Sequence, residues 1–499
     1  MATQVPTQSR RKRSPHRRVI EGLTSSRARA RILCAFLLAV FFTGGSSRPD
    51  MQSLVLLRPI SLFVLGYGLL TLSRKSVRNH WPLVTIAIAT VGLMILHLFP
   101  LPSELWQALP GREIIAEIDE LLGLVGTWRP LTLDPQATRN ALMALAPPCA
   151  ALVLGIQLDK RQHETLLTFV LSLGALTAVW GLLQLMGSPR GPFYLYSITN
   201  YGSPVGLFAS RNHQAVFLAS LIPLMYCWSH LAQGSWKDLR TSKGRRGSIA
   251  VAGVLLLVPL VLLTGSRAGL LALFLSICVT AAVIAITSSA PGKRHGRSPS
   301  ASARIALPIA GVLTIAGLAF VTISLGRDQA FERLVGSDPV ADMRVDIVPT
   351  TWHIAVENFP WGTGIGSFDD VFRIYEPNTL LMPQYVNHAH NDFLEVLMTG
   401  GLAGVLIMAT AIVFFAAQTW AIIRGGRTTI RANIWPAAAL TALAILFIAS
   451  LIDYPLRVPA MASYAVLLAI WASKGSYVAD PSEYGRHDPR MGQRSEQSS

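Results

Sequence analysis

The stretch SIAVAGVLLLVPLVLLTGSRAGLLALFLSICVTAAVIAIT, Ser248 to Thr287, contains one charged side chain, Arg267. It reads as two apolar runs back to back, each close to the ~20 residues that span hydrocarbon. An almost loopless turn, TGSR, joins them. Similar blocks recur along the 499-residue chain, which is 51% hydrophobic and 14% charged. Ordinary soluble domains are nearer a quarter charged, so the composition indicates an all-α polytopic membrane protein.

Hydropathy places about twelve transmembrane helices near residues 31–46, 54–73, 81–99, 138–157, 164–186, 210–231, 248–265, 267–287, 305–325, 393–423, 433–452 and 458–473. The net charge of +16 follows the same plan. Basic clusters fall in connectors and tails, as in RRKRSPHRR (Arg10 to Arg18), SRKSVR (Ser73 to Arg78), KDLRTSKGRRG (Lys237 to Gly247), PGKRHGR (Pro291 to Arg297) and RGGRTTIR (Arg424 to Arg431). Lys/Arg-rich loops stay cytoplasmic, which puts both termini inside. No aromatic platform or recognition helix accompanies the charge, so nucleic acid is not an expected partner and the lipid bilayer is. RILCAFLLAVFF near the start has the look of a signal h-region, but the long basic stretch before it favours an uncleaved first span.

Residues 1–30 then form a basic cytoplasmic tail, 31–473 the membrane domain, and 474–499 a polar cytoplasmic tail, with disorder expected in both tails. Two outer segments exceed mere turns. The first, Pro100 to Ala137, contains the amphipathic SELWQALPGREIIAEIDELLGLV, suited to a membrane surface. It ends in LTLDPQAT, where Asp134 and Pro135 suit an N-cap and first helical position. The second, 326–391, is the largest soluble piece. Its GTGIG (Gly362 to Gly366) lacks the following Lys-Ser/Thr of a phosphate loop and reads as a turn. Cys34, Cys149, Cys227 and Cys278 lie in apolar segments, where a thiol behaves as a small hydrophobe; neither disulfides nor a metal cluster is expected.

Polar residues gather at the outer ends of the spans. They include Arg139, Arg211 in ASRNHQA, Arg267, His388 and His390 in VNHAHNDF, Asp453 and Arg457 in DYPLRVP, and Arg344 in the outer loop. Helix N-termini with added arginines make an anion site, and guanidinium forks match phosphate oxygens. Plainer roles stand beside these. Arg267 reads equally as an anion ligand or as an interfacial anchor that snorkels. Arg211 also fits a cap with an ordinary interfacial arginine. The two histidines also fit a satisfied interfacial pair. Asp453 pairs most simply with Arg457, and Asp392 with Glu395 suits a capping box. Gly400, Gly401 and Gly404 permit close approach or a break in the span.

LTLDPQAT, GLFASRNHQAVFLASLIPL, TGSRAGLLAL, MRVDIVPTTWHIAVENFPWGTGIGSF, HAHNDFLEVLMTGGLAGVL and DYPL, in this order over about 131–456, resemble the O-antigen ligase and polysaccharide polymerase family of bacterial envelope proteins. The resemblance implies a GT-C-like, metal-independent, inverting glycosyltransferase of the inner membrane with no cofactor. Such an enzyme moves a glycan from an undecaprenyl-diphosphate-linked donor to a glycan or lipid A-core acceptor at the periplasmic face. It implies His390 as the catalytic base, with Asn391 and Leu394 completing its His-Asn/Ser/Thr-x-x-Leu pattern. Arg267, Arg344 and Arg211 would bind the diphosphate, and His388 and Asn391 would support. Two other classes compete: a multi-span secondary transporter of bicarbonate or another small solute, and a non-catalytic envelope-assembly partner. Transporters, however, place polar groups near the midplane on repeated halves, whereas here they lie at the outer rim.

Overall fold

The computed structural model describes residues 25–232, 238–288, 339–381 and 386–473. The ninth expected span (305–325), residues 326–338 of the outer loop and most of both tails lie outside these residues. Within them the chain is mostly helical, and a helix stands at each of the other eleven expected positions. These are α1 Ser26–Thr43, α2 Leu54–Leu70, α3 Trp81–His97, α4 Pro135–Ala144 with α5 Ala146–Gly155, α6 Lys160–Met186, α7 Arg211–His230, α8 Ser242–Leu263, α9 Arg267–Ser288, α12 Asp392–Arg424, α14 Ile434–Ala449 and α15 Pro459–Ala472. Two further helices, α10 Pro339–Glu357 and α11 Phe368–Tyr375, belong to the outer loop. A short α13, Gly426–Ala432, precedes α14 at an 89° bend.

Among the described residues, five helical segments can cross a membrane by length and composition, or six if the bent α13–α14 pair is one span. α2, α3 and α15 are apolar but shorter. α7 differs from all of these. It is buried along nearly its whole length, from Asn212 to Leu224 and again at Cys227 and Ser229, between α6, α8, α9 and α14. A helix enclosed on every side can carry polar residues only where they are satisfied. Accordingly, Gln214 accepts from the Thr177 hydroxyl at 2.9 Å and donates to the Thr177 carbonyl at 3.1 Å.

In a second, smaller core, Ile347, Ile354, Phe368, Val371 and Phe372 pack with Ala389 and Met398. Buried Arg112 pins residues 100–137 to the segment around Asn358 and Gly362. It donates to Asn358 Oδ1 at 2.8 Å and to the carbonyls of Leu131 at 2.9 Å and Gly362 at 3.2 Å. Burial without a paired carboxylate pulls its guanidinium down to about 10. The expected Asp134 cap is present, accepting from Gln136 N and Ala137 N.

GTGIG is a turn, with Gly362, Gly364 and Gly366 all at positive φ. It fills a break in α12, where Gly401 adopts φ 57° and ψ −152°. Thr363 N donates to Met398 O, Gly364 N to Thr399 O and Leu402 N to Pro360 O, at 2.8–3.0 Å. Backbone groups freed by a broken span are tolerated where protein re-satisfies them, and this turn does so. A Cβ on Gly401 would strike the Pro360 carbonyl.

Candidate active site at the outer ends of the helices

The segment before α12 sets the site. Asn391, not Asp392, is the N-cap, accepting from Phe393 N at 3.0 Å and Leu394 N at 3.1 Å. The expected Asp392–Glu395 capping box is therefore absent. Glu395 instead reaches back past the cap to Ala389 N at 3.0 Å and His388 Nδ1 at 3.1 Å. His390, the residue between, takes a left-handed backbone with φ 50°. That conformation is uncommon for a side chain with a Cβ and marks a position held by its surroundings.

The left-handed turn directs His390 to the DYPLR turn. Its Nδ1 lies 3.6 Å from Asp453 Oδ1. The sequence suggests Asp453–Arg457 as a pair, but the partners are exchanged. Pro455–Arg457 forms a 3₁₀ turn, and Arg457 pairs with Asp392 at 3.2 Å and Glu395 at 3.4 Å. Asp453 faces histidines instead, with His213 Nε2 at 4.0 Å on its other side. The ring of Tyr454 lies among His388, His390 and His213, with centroids 4.4, 4.9 and 5.4 Å away.

Asp453 is anchored by a chain of hydrogen bonds through two helix starts. Asn212 Nδ2 donates to Asp453 Oδ2 at 2.8 Å, Ser266 Oγ donates to Asn212 Oδ1 at 2.8 Å, and Gly269 N donates to Ser266 Oγ at 2.9 Å. The carboxylate also accepts from Tyr454 N at 3.0 Å. Burial opposes its charge, but His390, His213 and Arg344 outweigh burial and hold it well below the usual carboxylate range. For His390, burial is the larger influence and lowers it below the ordinary imidazole value, although Asp453 pulls the other way. The neutral ring therefore persists below the usual pH. In the tautomer that carries its proton on Nδ1, the nitrogen nearest Asp453, Nε2 would keep the lone pair that a base uses.

The six sequence-expected residues divide into two sets. His390, His388 and Asn391 come together, and Arg344 joins them: its Nη1 donates to Ile452 O at 3.4 Å, and its charge acts on Asp453 and His390. Arg211 and Arg267 open α7 and α9, each one residue from a member of the hydrogen-bond chain, Asn212 and Ser266. It is those neighbours that bond toward Asp453. Asn212, His213 and Tyr454 were not singled out from the sequence. The signal available was a polar triplet, Asn212-His213-Gln214, opening an otherwise apolar helix. Among the described residues, no three His, Cys, Asp or Glu side chains are arranged to hold a metal ion.

Residues 252–409 match the family model described as O-antigen ligase. Over that region, about a third of its length, the chain is similar to the O-antigen ligase family. The matched stretch carries Arg267, Arg344, His388 and His390. The groups that hold His390 in place, Asp453, Tyr454 and Asn212, lie outside it. That family description is of a ligase-type membrane enzyme, and the apolar helices of this chain are consistent with a membrane protein. No curated protein matches the chain.

Proposed function

We propose that the protein is an inner-membrane glycosyltransferase of about twelve spans with GT-C-like architecture. It would move a glycan from undecaprenyl diphosphate to an acceptor sugar, glycan or lipid A-core, at the periplasmic face. The His390–Asp453 pair is the observation that carries this, because it joins a base-competent imidazole to the outer ends of α7 and α9, where Arg211 and Arg267 stand.

A sugar hydroxyl is a poor nucleophile. As its oxygen bonds to the anomeric carbon of the donor, His390 Nε2 takes the hydroxyl proton. Asp453 stabilises the imidazolium that results. The anomeric carbon–oxygen bond to the lipid diphosphate breaks, and its electron pair leaves with the diphosphate. Arg267, Arg211 and Arg344, with the helix N–H groups beside them, would stabilise that growing charge in place of a metal. Attack opposite the leaving group inverts the anomeric configuration.

The test is a glycan profile. The gene is deleted in its own bacterium and complemented with wild type, His390→Ala or Arg267→Ala at matched membrane levels. Wild type should restore a long-chain glycan on lipopolysaccharide or in secreted polymer, and both variants should fail. Restoration by both variants would refute the proposal.

A further inference from the structure

A cavity of about 460 Å³ opens on the other side of the histidine segment, within the size range of ligand pockets. His388, Asn387 and Asp369 line its polar end, and it runs inward between α2, α3, α4 and α12. Its walls are apolar, with Leu57, Leu93, Met94, Met143, Val396 and Met408 among them. His390, Arg211, Arg267 and Arg344 do not line it.

Three arginines do, and two are already neutralised. Arg48 holds Asp50 through two bonds of 3.0 and 2.9 Å, and Arg457 holds Asp392 and Glu395. Arg58, one turn into α2, differs. Its Nη2 donates to the neutral Asn140 Oδ1 at 3.2 Å, while its Nε is buried without an acceptor. Among the described residues no carboxylate pairs with it. Burying part of a guanidinium in an apolar wall is costly unless a counter-charge meets it. The cavity's carboxylates are otherwise engaged. Asp369 pairs with Arg373 at 2.8 Å, and Asp370 faces Asp134, whose proximity pushes its carboxyl up to about 6. Asn140 lies six residues beyond Asp134, roughly 9 Å along the α4 axis, so Arg58 meets the cavity deeper than that acidic pair.

We propose that this cavity binds a lipid phosphate, with Arg58 meeting the phosphate and the apolar walls taking the chain. An amphiphile matches both features at once: charge-assisted bonds to the guanidinium and apolar burial along the walls. The site is separate from the arginines assigned to the donor diphosphate, and it does not depend on His390 acting as a base.

The full chain in phosphatidylcholine nanodiscs, titrated with geranylgeranyl phosphate and with geranylgeraniol, tests this. Wild type should bind the phosphate at least ~10-fold more tightly than the alcohol. Arg58→Gln should bring the two to parity, Arg58→Lys should keep most of the preference, and Ala144→Phe, which narrows the cavity, should weaken both ligands. His390→Ala should bind as wild type does, so a loss of transfer and a loss of binding are told apart. Equal binding of phosphate and alcohol by wild type, or an unchanged preference in Arg58→Gln, would overturn the proposal and leave Arg58 as an interfacial anchor. Competition then names the natural source, and either outcome upholds the site. Displacement by phosphatidylglycerol indicates a bulk membrane lipid, whereas displacement by undecaprenyl phosphate alone indicates the polyprenyl carrier.

Discussion

His388 and His390 stand two residues apart, both against Tyr454, and each faces a buried carboxylate. Their surroundings make them different reagents. Glu395, the partner of His388, also lies beside Arg457 and accepts from Ala389 N, so its charge is already met. Asp453, the partner of His390, has amide and backbone donors and two imidazoles within 4.0 Å. A proton arriving on His390 therefore meets a carboxylate on which the charge of Arg344 acts without a direct ion pair. A proton arriving on His388 meets one that Arg457 already neutralises. On the proposed function, the company of their carboxylates would make one of these histidines the proton acceptor and the other a structural group.

Substitutions can break this contrast, and the largest effect belongs to the acceptor. His390→Ala should lower transfer by about 10²–10⁴-fold, the range general-base removal spans, as measured by product formation with purified protein. Asp453→Asn should cost somewhat less, about 10²-fold, and should also move the pH profile. The carboxylate raises the His390 pKa. Removing it lowers that value, so the acidic limb of kcat/KM should shift to lower pH while the plateau falls. A limb that stays in place would remove Asp453 as the partner.

Arg457→Met should act on stability. Removing one member of a buried ion-pair group costs about 3 kcal/mol, read as a lower melting temperature in detergent. Glu395→Gln should have the smallest effect on turnover, under about 10-fold, because His388 would lose an orienting partner and not a proton relay. Equal losses in Glu395→Gln and Asp453→Asn would erase the distinction between the two sides.

The parts legible in the sequence are those set locally. Apolar runs gave the helices, Asp134 and Pro135 gave the start of α4, and the glycines at 400–404 marked a break that falls at Gly401. GTGIG, without the Lys-Ser/Thr of a phosphate loop, reads as a turn and forms one. Pairings that depend on three-dimensional direction were not legible. Asp453 and Arg457, four residues apart, look like natural partners, yet the 3₁₀ turn sends them to different neighbours. Asp392 looks like a cap until the left-handed His390 shifts that role to Asn391. The link from Asn212 to Asp453 joins residues 241 positions apart, and no local pattern encodes it. Arg58 carries no sequence signal of its own, because its lack of a paired carboxylate among the described residues and the adjoining cavity exist only in the fold.

The most direct test of the two-histidine account is transfer by purified His390→Ala and His388→Ala proteins, assayed side by side with a lipid-diphosphate-linked glycan and its acceptor. The account predicts that His390→Ala falls by at least about 10²-fold, while His388→Ala stays within about tenfold of wild type. The reverse order, or equal losses, would contradict the assignment of His390 and Asp453 as the proton-accepting pair.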